Sequence, residues 1–413
     1  MMRKMRRALA PIALAVALVT MTACADGTSG NPSSSGDDGL TDMEPVNFSI
    51  TVSSTSPTTS ANRSLIAFAD EVTEKSDGKI TFEVAYGDVL VPSTDVLAGV
   101  ADGRADVAIV QPSVFPNDLP LTAGLFALGV DPGDDYPHVG LKWAAAVDEL
   151  VLSQPEFVEE WSDRNLKVLA GVGGYQGYDI FCVNSIPDAA SLEGRRVRAP
   201  GKEWAAQAVA LGMTPVDLPV AELYDGLQRG VVDCAIGAIP TAKTLALWEV
   251  APYVAAGVLG TNAAVVVVMN EEKYLALPEA ARKIIDDATA TLWREYANNW
   301  LNDYWSVAKE GVEDHGMTFE ATDDYRAALN SANDKIISDL AANWEASGVA
   351  DPEALIDSIY ARLDGWDDVL VNEVGLEHIE ADAKAGAYVE LTEYADKMNQ
   401  FYELYASERA TKG

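Results

Sequence analysis

Seven residues at Gly103, "GRADVAI", return in altered form at Gly230 as "GVVDCAI", so that both read G-x-x-D-x-A-I. Each closes a similar five-part run. In the first run, "NFSITVSS" reads as a strand, and "SANRSLIAFADEVTEKSDG" has helical spacing, with Ser60 near its start and Gly78 at its stop. "KITFEVAY" alternates like a strand, "STDVLAGVADG" is a short helix from Ser93 to Gly103, and "ADVAIVQ" is a buried strand. In the second run, "RRVRAP", "TPVDLPV" and "VVDCAIG" are strands, and "KEWAAQAVALG" and "AELYDGLQRG" are the helices between them. Strands alternating with helices predict parallel sheets with crossover helices. The repetition predicts two α/β lobes of like construction.

That architecture says where a ligand goes. Open α/β sheets bind ligands beyond the carboxyl ends of their strands, and clefts between domains are favoured pockets. The strand ends that qualify by position are Ser54, Tyr86 and Gln111 in one lobe and Arg198 and Gly237 in the other. The glycine-rich bend "VGGYQGYDIFCVN" and the apolar "NAAVVVVMN" from Asn262 to Asn270 are the natural crossings between lobes. Lobe 1 is therefore expected over residues 46–178, with return segments after about 262, and lobe 2 over residues 179–260. Residues 261–368 hold a crossing strand and a helical region that packs on both lobes, followed by an acidic helical tail over 369–413. Trp293, Trp300, Trp305 and Trp344, at helical spacing, read as packing anchors.

The N-terminus speaks to compartment. Met1–Arg7 carry four positive charges, Ala8–Met21 are apolar, and "MTAC" follows, which is the pattern of a secretory signal peptide over residues 1–23. A cysteine at the cleavage point, Cys24, resembles a bacterial lipobox. That resemblance implies lipidation of Cys24 and an anchor to the outer face of the cell membrane. Residues 24–45, rich in Gly, Ser and Asp, read as a flexible tether. With 64 acidic against 29 basic residues, the chain lacks the basic face that nucleic acid needs. Cys182 and Cys234 lie in apolar strand-like runs, where a disulfide and two buried thiols both fit.

In a chain of net charge -35, "EGRRVRAPG" holds three arginines, Arg195, Arg196 and Arg198. Side chains alternate along a strand, so Arg196 and Arg198 share a face and Arg195 points away with Val197. Arg198 comes last, where the cleft is expected, and its planar fork suits a carboxylate. A ligand carboxylate and a structural ion pair both fit that position, while Arg195 and Arg196 read as surface charges. Enzyme chemistry finds little support. The three histidines, His138, His315 and His378, are scattered, and no G-x-S-x-G is present. "GVGGYQG" has the wrong spacing for a nucleotide loop, and "DPGDD" lacks the pattern of a calcium loop. No catalytic residue, metal or cofactor is expected.

"SIPDAASLEGRRVRAP", "ALGMTPVDLPVAELYDGLQRGVVDCAIG" and "LPEAARKIIDDA" together resemble the DctP-type solute-binding proteins of TRAP transporters. The likeness is dense over the second lobe and looser from Asn47 to Gly365. It implies a two-lobed, periplasmic-binding-protein type II-like α/β fold. It also implies a small organic acid as ligand and membrane subunits of a sodium-coupled transporter as partners. The family's ligand-gripping arginine falls on Arg198. Many relatives carry a second arginine about where Tyr178 stands here, and their "VDG" is "VDC", which puts a second ligand carboxylate in doubt. Tyr175, Tyr178 and Trp204 would give an aromatic cleft, suited to a monocarboxylate with an apolar or ring-bearing body. The same lobes also serve ABC importers and ligand-sensing receptor systems, but "VAELYDGLQRGVVD" favours the sodium-coupled family.

Overall fold

The computed structural model describes Leu40 and residues 42–130, 135–136, 138–173, 177–261, 265–320, 323–376, 379–380 and 395–412. Two sheets organise them. The five-stranded sheet runs in the order Ile80–Tyr86, Val46–Val52, Val107–Val110, Val266–Asn270, Leu166–Gly171. The six-stranded sheet runs Thr318–Phe319, Tyr253–Thr261, Gly177–Cys182, Cys234–Gly237, Arg196–Arg198, Thr214–Val216. Within each, the three strands of the predicted five-part run are parallel neighbours, as the alternation with helices requires. Val266–Asn270 in the first sheet and Gly177–Cys182 in the second lie antiparallel to them, because the chain has crossed over.

The repeated aspartate has one job in both lobes. Asp106 accepts the backbone N–H of Ser49 at 2.6 Å, and its own N–H returns to the Ser49 carbonyl at 3.0 Å. Asp233 does the same with Arg196, at 2.9 and 2.8 Å. Each aspartate thus clips the strand it precedes to its parallel neighbour. Each takes a cation as well: Lys273 on Asp106, and the Arg196 guanidinium on Asp233 at 2.8 and 3.0 Å. The glycine three residues earlier has positive φ in both copies, +74° at Gly103 and +67° at Gly230, which suits a helix stop.

Helices cover the sheets through their apolar stripes. Ser60–Lys75 buries Leu65, Phe68, Ala69 and Val72. Its cap is Thr59, whose hydroxyl accepts the Asn62 N–H at 3.3 Å, while the Ser60 hydroxyl donates to Asp303 at 2.5 Å. Asp303 lies on the longest helix, Glu279–His315, which serves both lobes. Its first half, including Ile285, Leu292 and Trp293, enters the core of the first sheet, and Tyr304, Val307 and Ala308 enter a core of the second. Trp293 and Trp344 are fully buried, and Trp300 and Trp305 pack against the first core, so these tryptophans are anchors.

Several boundaries differ from the sequence reading. Met43, assigned to the tether, is 8 % exposed in the first core, and Lys79 donates to its carbonyl at 2.6 Å, so the fold begins earlier than residue 46. Tyr178 belongs to the six-stranded sheet rather than to lobe 1, because the first crossing lies between Gly171 and Gly177. The acidic tail ends in a packed helix, Ala395–Lys412, which buries Met398, Phe401, Tyr402 and Tyr405 among the aromatics of the first core. Cys24, His378, most of "DPGDD" and the rest of the N-terminus lie outside the described residues. Among the described residues no helix is long and apolar enough to cross a membrane.

Candidate ligand-binding site

The three arginines, built up from the strand that carries them, separate cleanly. Val197 is fully buried between Arg196 and Arg198. Arg195 spends its whole fork on carbonyls, donating to Ser191 at 2.7 Å, Asn184 at 2.9 Å and Ser185 at 2.8 Å. Arg196 is held by Asp233 through side chain and backbone. Arg196 is exposed at the surface, as the sequence reading expected, but is paired there with the repeat aspartate, and Arg195 is spent on turn carbonyls. Arg198 is different. It is half-buried, and the one hydrogen bond it makes among the described residues is a long one, from Nε to the Leu218 carbonyl at 3.3 Å. No carboxylate pairs with it among those residues. Burial pulls its guanidinium below the ordinary arginine range, against the opposing influence of Tyr178 and Asp217. An arginine stays charged regardless, so this is a partly desolvated cation in want of an anion.

Tyr178 lies near enough to act on that charge and is fixed from behind. Its ring stacks on Trp204 with centroids 4.4 Å apart and planes 14° from parallel. Trp204 is 2 % exposed, and its indole N–H donates to the Gly260 carbonyl at 2.7 Å. It is therefore the backing of the tyrosine more than a wall of its own. Gly237 ends the strand beside Arg198, with Ala235 opposite Arg198 in register. Asp217 follows the strand Thr214–Val216 at the same edge. The strand-end rule applied to "TPVDLPV" would have found it. Tyr296, on the long helix, is buried near enough to Tyr178 for the two phenols to influence each other, and burial raises its pKa. No local motif marks that residue.

On the first sheet, Ser54, Tyr86 and Gln111 stand at one edge, since Val46–Val52, Ile80–Tyr86 and Val107–Val110 are parallel. The Ser54 hydroxyl accepts the Ser56 N–H at 3.2 Å, Tyr86 is half-buried against the core, and Gln111 is exposed. The two groups of candidates thus belong to separate sheets. Tyr175 lies outside the described residues.

Beside Tyr178, Asp179 is fully buried on the opposite face of the strand. One carboxyl oxygen accepts the Gly257 N–H at 2.8 Å and the Tyr304 hydroxyl at 3.1 Å; the other has no partner among the described residues. Burial outweighs those two bonds and the smaller pull of the Ile239 N–H, and pushes its pKa up to about 8. Cys182 and Cys234, opposite each other in register, are joined in a disulfide, which settles the choice that the sequence left open. Among the described residues no cluster of side chains is suited to hold a metal ion.

The profile of bacterial extracellular solute-binding protein family 7, DctP, matches residues 48–343. A solute-binding protein of Roseobacter denitrificans is 24% identical over 275 residues, 65% of this chain and 80% of its own length. One from Chromohalobacter salexigens is 24% identical over 288 residues, 64% of this chain and 76% of its own. Among solved structures, a TRAP periplasmic solute-binding protein of Desulfovibrio salexigens superposes with a TM-score of 0.67 at 20% identity, covering 78% of this chain and 97% of that one. A marine-metagenome TRAP protein specific for aromatic acid ligands gives 0.67 at 21%, covering 78% and 99%. A second, specific for pyroglutamate, gives 0.62 at 21%, covering 77% and 99%. The two-lobed α/β fold, the repeated clip and the profile match over most of the chain agree: this protein belongs to bacterial extracellular solute-binding protein family 7, the DctP family.

Proposed function

We propose that this protein captures a small organic acid between its lobes and hands it to the membrane subunits of a TRAP-type transporter. In this reading Arg198 is the carboxylate anchor. The observation that carries it is the contrast among three neighbours: Arg195 is spent on carbonyls, Arg196 is paired with Asp233, and Arg198 is half-buried with no ion-paired carboxylate among the described residues. The ligand is a monocarboxylate with a ring-bearing body, lying against Tyr178. The relatives specific for aromatic acids and for pyroglutamate support a ring-bearing acid. A tyrosine offers one neutral hydrogen bond and no second charge, which fits one carboxylate better than two. Ligand contacts to both lobes would favour the closed form, and desolvation there would strengthen the arginine–carboxylate pair. Lipid on Cys24 would keep the protein at the outer membrane face, near those subunits.

The test is a thermal-shift screen of organic acids against neutral and cationic solutes, since a ligand of the native state raises the melting temperature by mass action. A rise with cyclic or aromatic monocarboxylates, abolished in Arg198→Ala, is the expected result. A rise with sugars or amines alone, kept in that variant, would overturn the assignment.

A further inference from the structure

The helix Ala395–Lys412 lies beyond the part of the chain that matches the family profile, which ends at residue 343. Its Arg409 reaches into the first lobe and meets Asp148, a fully buried carboxylate on the helix His138–Ser153. One oxygen of Asp148 accepts Arg409 Nε at 2.6 Å and the Tyr405 hydroxyl at 2.7 Å. The other accepts the backbone N–H of Gly171 at 2.6 Å. Arg409 also donates to the Leu169 carbonyl at 2.6 Å and to the Thr289 hydroxyl on the long helix. A buried ion pair is tolerable only when such further bonds satisfy it, and here they do.

The location matters more than the strength. Leu169 and Gly171 belong to the strand Leu166–Gly171, and Gly171 is its last residue before the chain crosses to the second lobe. There is no room for adjustment at that point. A Cβ on Gly171 would sit 2.9 Å from the Cα of Asp148. We propose that Arg409, acting through Asp148 on the Gly171 N–H and directly on the Leu169 carbonyl, is a positioning residue. It fixes the lobe-1 end of the first crossing and so sets the balance between open and closed forms. The C-terminal helix, outside the span of the family profile, is then a strap on the hinge. This rests on the reading that the lobes open and close, but not on the identity of the ligand.

The experiment is single-molecule energy transfer on the full chain without ligand, with dyes on non-cysteine handles at the exposed Asp70 of lobe 1 and Val209 of lobe 2. Arg409→Gln should change the ratio of open to closed populations by roughly fivefold or more, the lower end of ordinary coupling between distant sites. Tyr405→Phe, which leaves the ion pair in place, should move it in the same direction by less. An unchanged distribution in both, even with a lower melting temperature, would make the network a stabilising contact only and overturn the proposal. If Arg409→Gln does not fold, Arg409→Lys decides the matter: it keeps the charge but gives up the fork that spans Asp148 and Leu169. Because no ligand is added, failure of the carboxylate assignment would leave the result intact.

Discussion

Asp233 holds Arg196 twice, by its guanidinium and by its backbone N–H, and leaves Arg198 two residues on without an ion-paired carboxylate among the described residues. The clip explains how one short strand in a very acidic chain can present a single available cation.

Replacing that cation should remove binding without removing the fold. Arg198→Ala and Arg198→Lys should both weaken a bound carboxylate by about 2 kcal/mol or more, roughly 30-fold, because an ammonium cannot reproduce the bidentate fork. Calorimetric titration with an acid identified by thermal shift checks it. The ligand-free melting temperature should change little, since burial of the guanidinium is offset only by one long bond to Leu218 and the nearby Tyr178 and Asp217.

The clip itself is a stability element. Asp106→Ala strands the Ser49 N–H and releases Lys273 and should cost about 1–3 kcal/mol. A urea unfolding midpoint measures this. An unchanged midpoint would mean that the pairing of Val46–Val52 with Val107–Val110 does not need the clip.

Reduction of Cys182–Cys234 closes a different question. The bridge spans 52 residues, and its loss should destabilise the second lobe by about 2–4 kcal/mol. Ligand affinity should survive, since both sulfurs lie in the core behind Val197 and Trp204. Melting with and without reductant, set beside Cys182→Ala/Cys234→Ala, gives the comparison.

Asp179 should make stability depend on pH. Its folded pKa, about 8, is raised above the ordinary value of 3.8 by burial. The folded state therefore keeps a proton that the unfolded chain gives up, and stability is present at low pH and falls as pH rises from about 4 to about 8. Asp179→Asn removes that dependence. Relative to the variant, the natural protein should lose stability on the order of a few kcal/mol across this window. Parallel slopes in melting temperature against pH would show that Asp179 is ionised throughout.

Periodicity carried most of the architecture. The two five-part runs, their parallel pairing and the Gly103 and Gly230 stops follow from local pattern, whereas position at a strand end left Arg198 open between a ligand contact and a structural ion pair. What sequence could not supply was the company each side chain keeps. Arg195 and Arg196 look alike on paper, and only the fold brings the Ser191 and Asn184 carbonyls to one and Asp233 to the other. Trp204 read as a cleft aromatic because its type suits one, yet its indole N–H is committed to Gly260. The C-terminal helix was visible as a helix, but its docking depends on Asp148, more than two hundred residues away, and no local signal encodes such a pairing.

The duplicated clip allows the two halves to be laid over one another. Two residues past the clipped Ser49 stands Thr51, opposite Ala108; two residues past the clipped Arg196 stands Arg198, opposite Ala235. One architecture thus places a short, buried neutral side chain in its first copy and a charged one in its second. Division of labour follows from that asymmetry. If Arg198 anchors a carboxylate as proposed, an incoming acid would meet the second half first, and the position of Thr51 would close over it afterwards without a charge of its own.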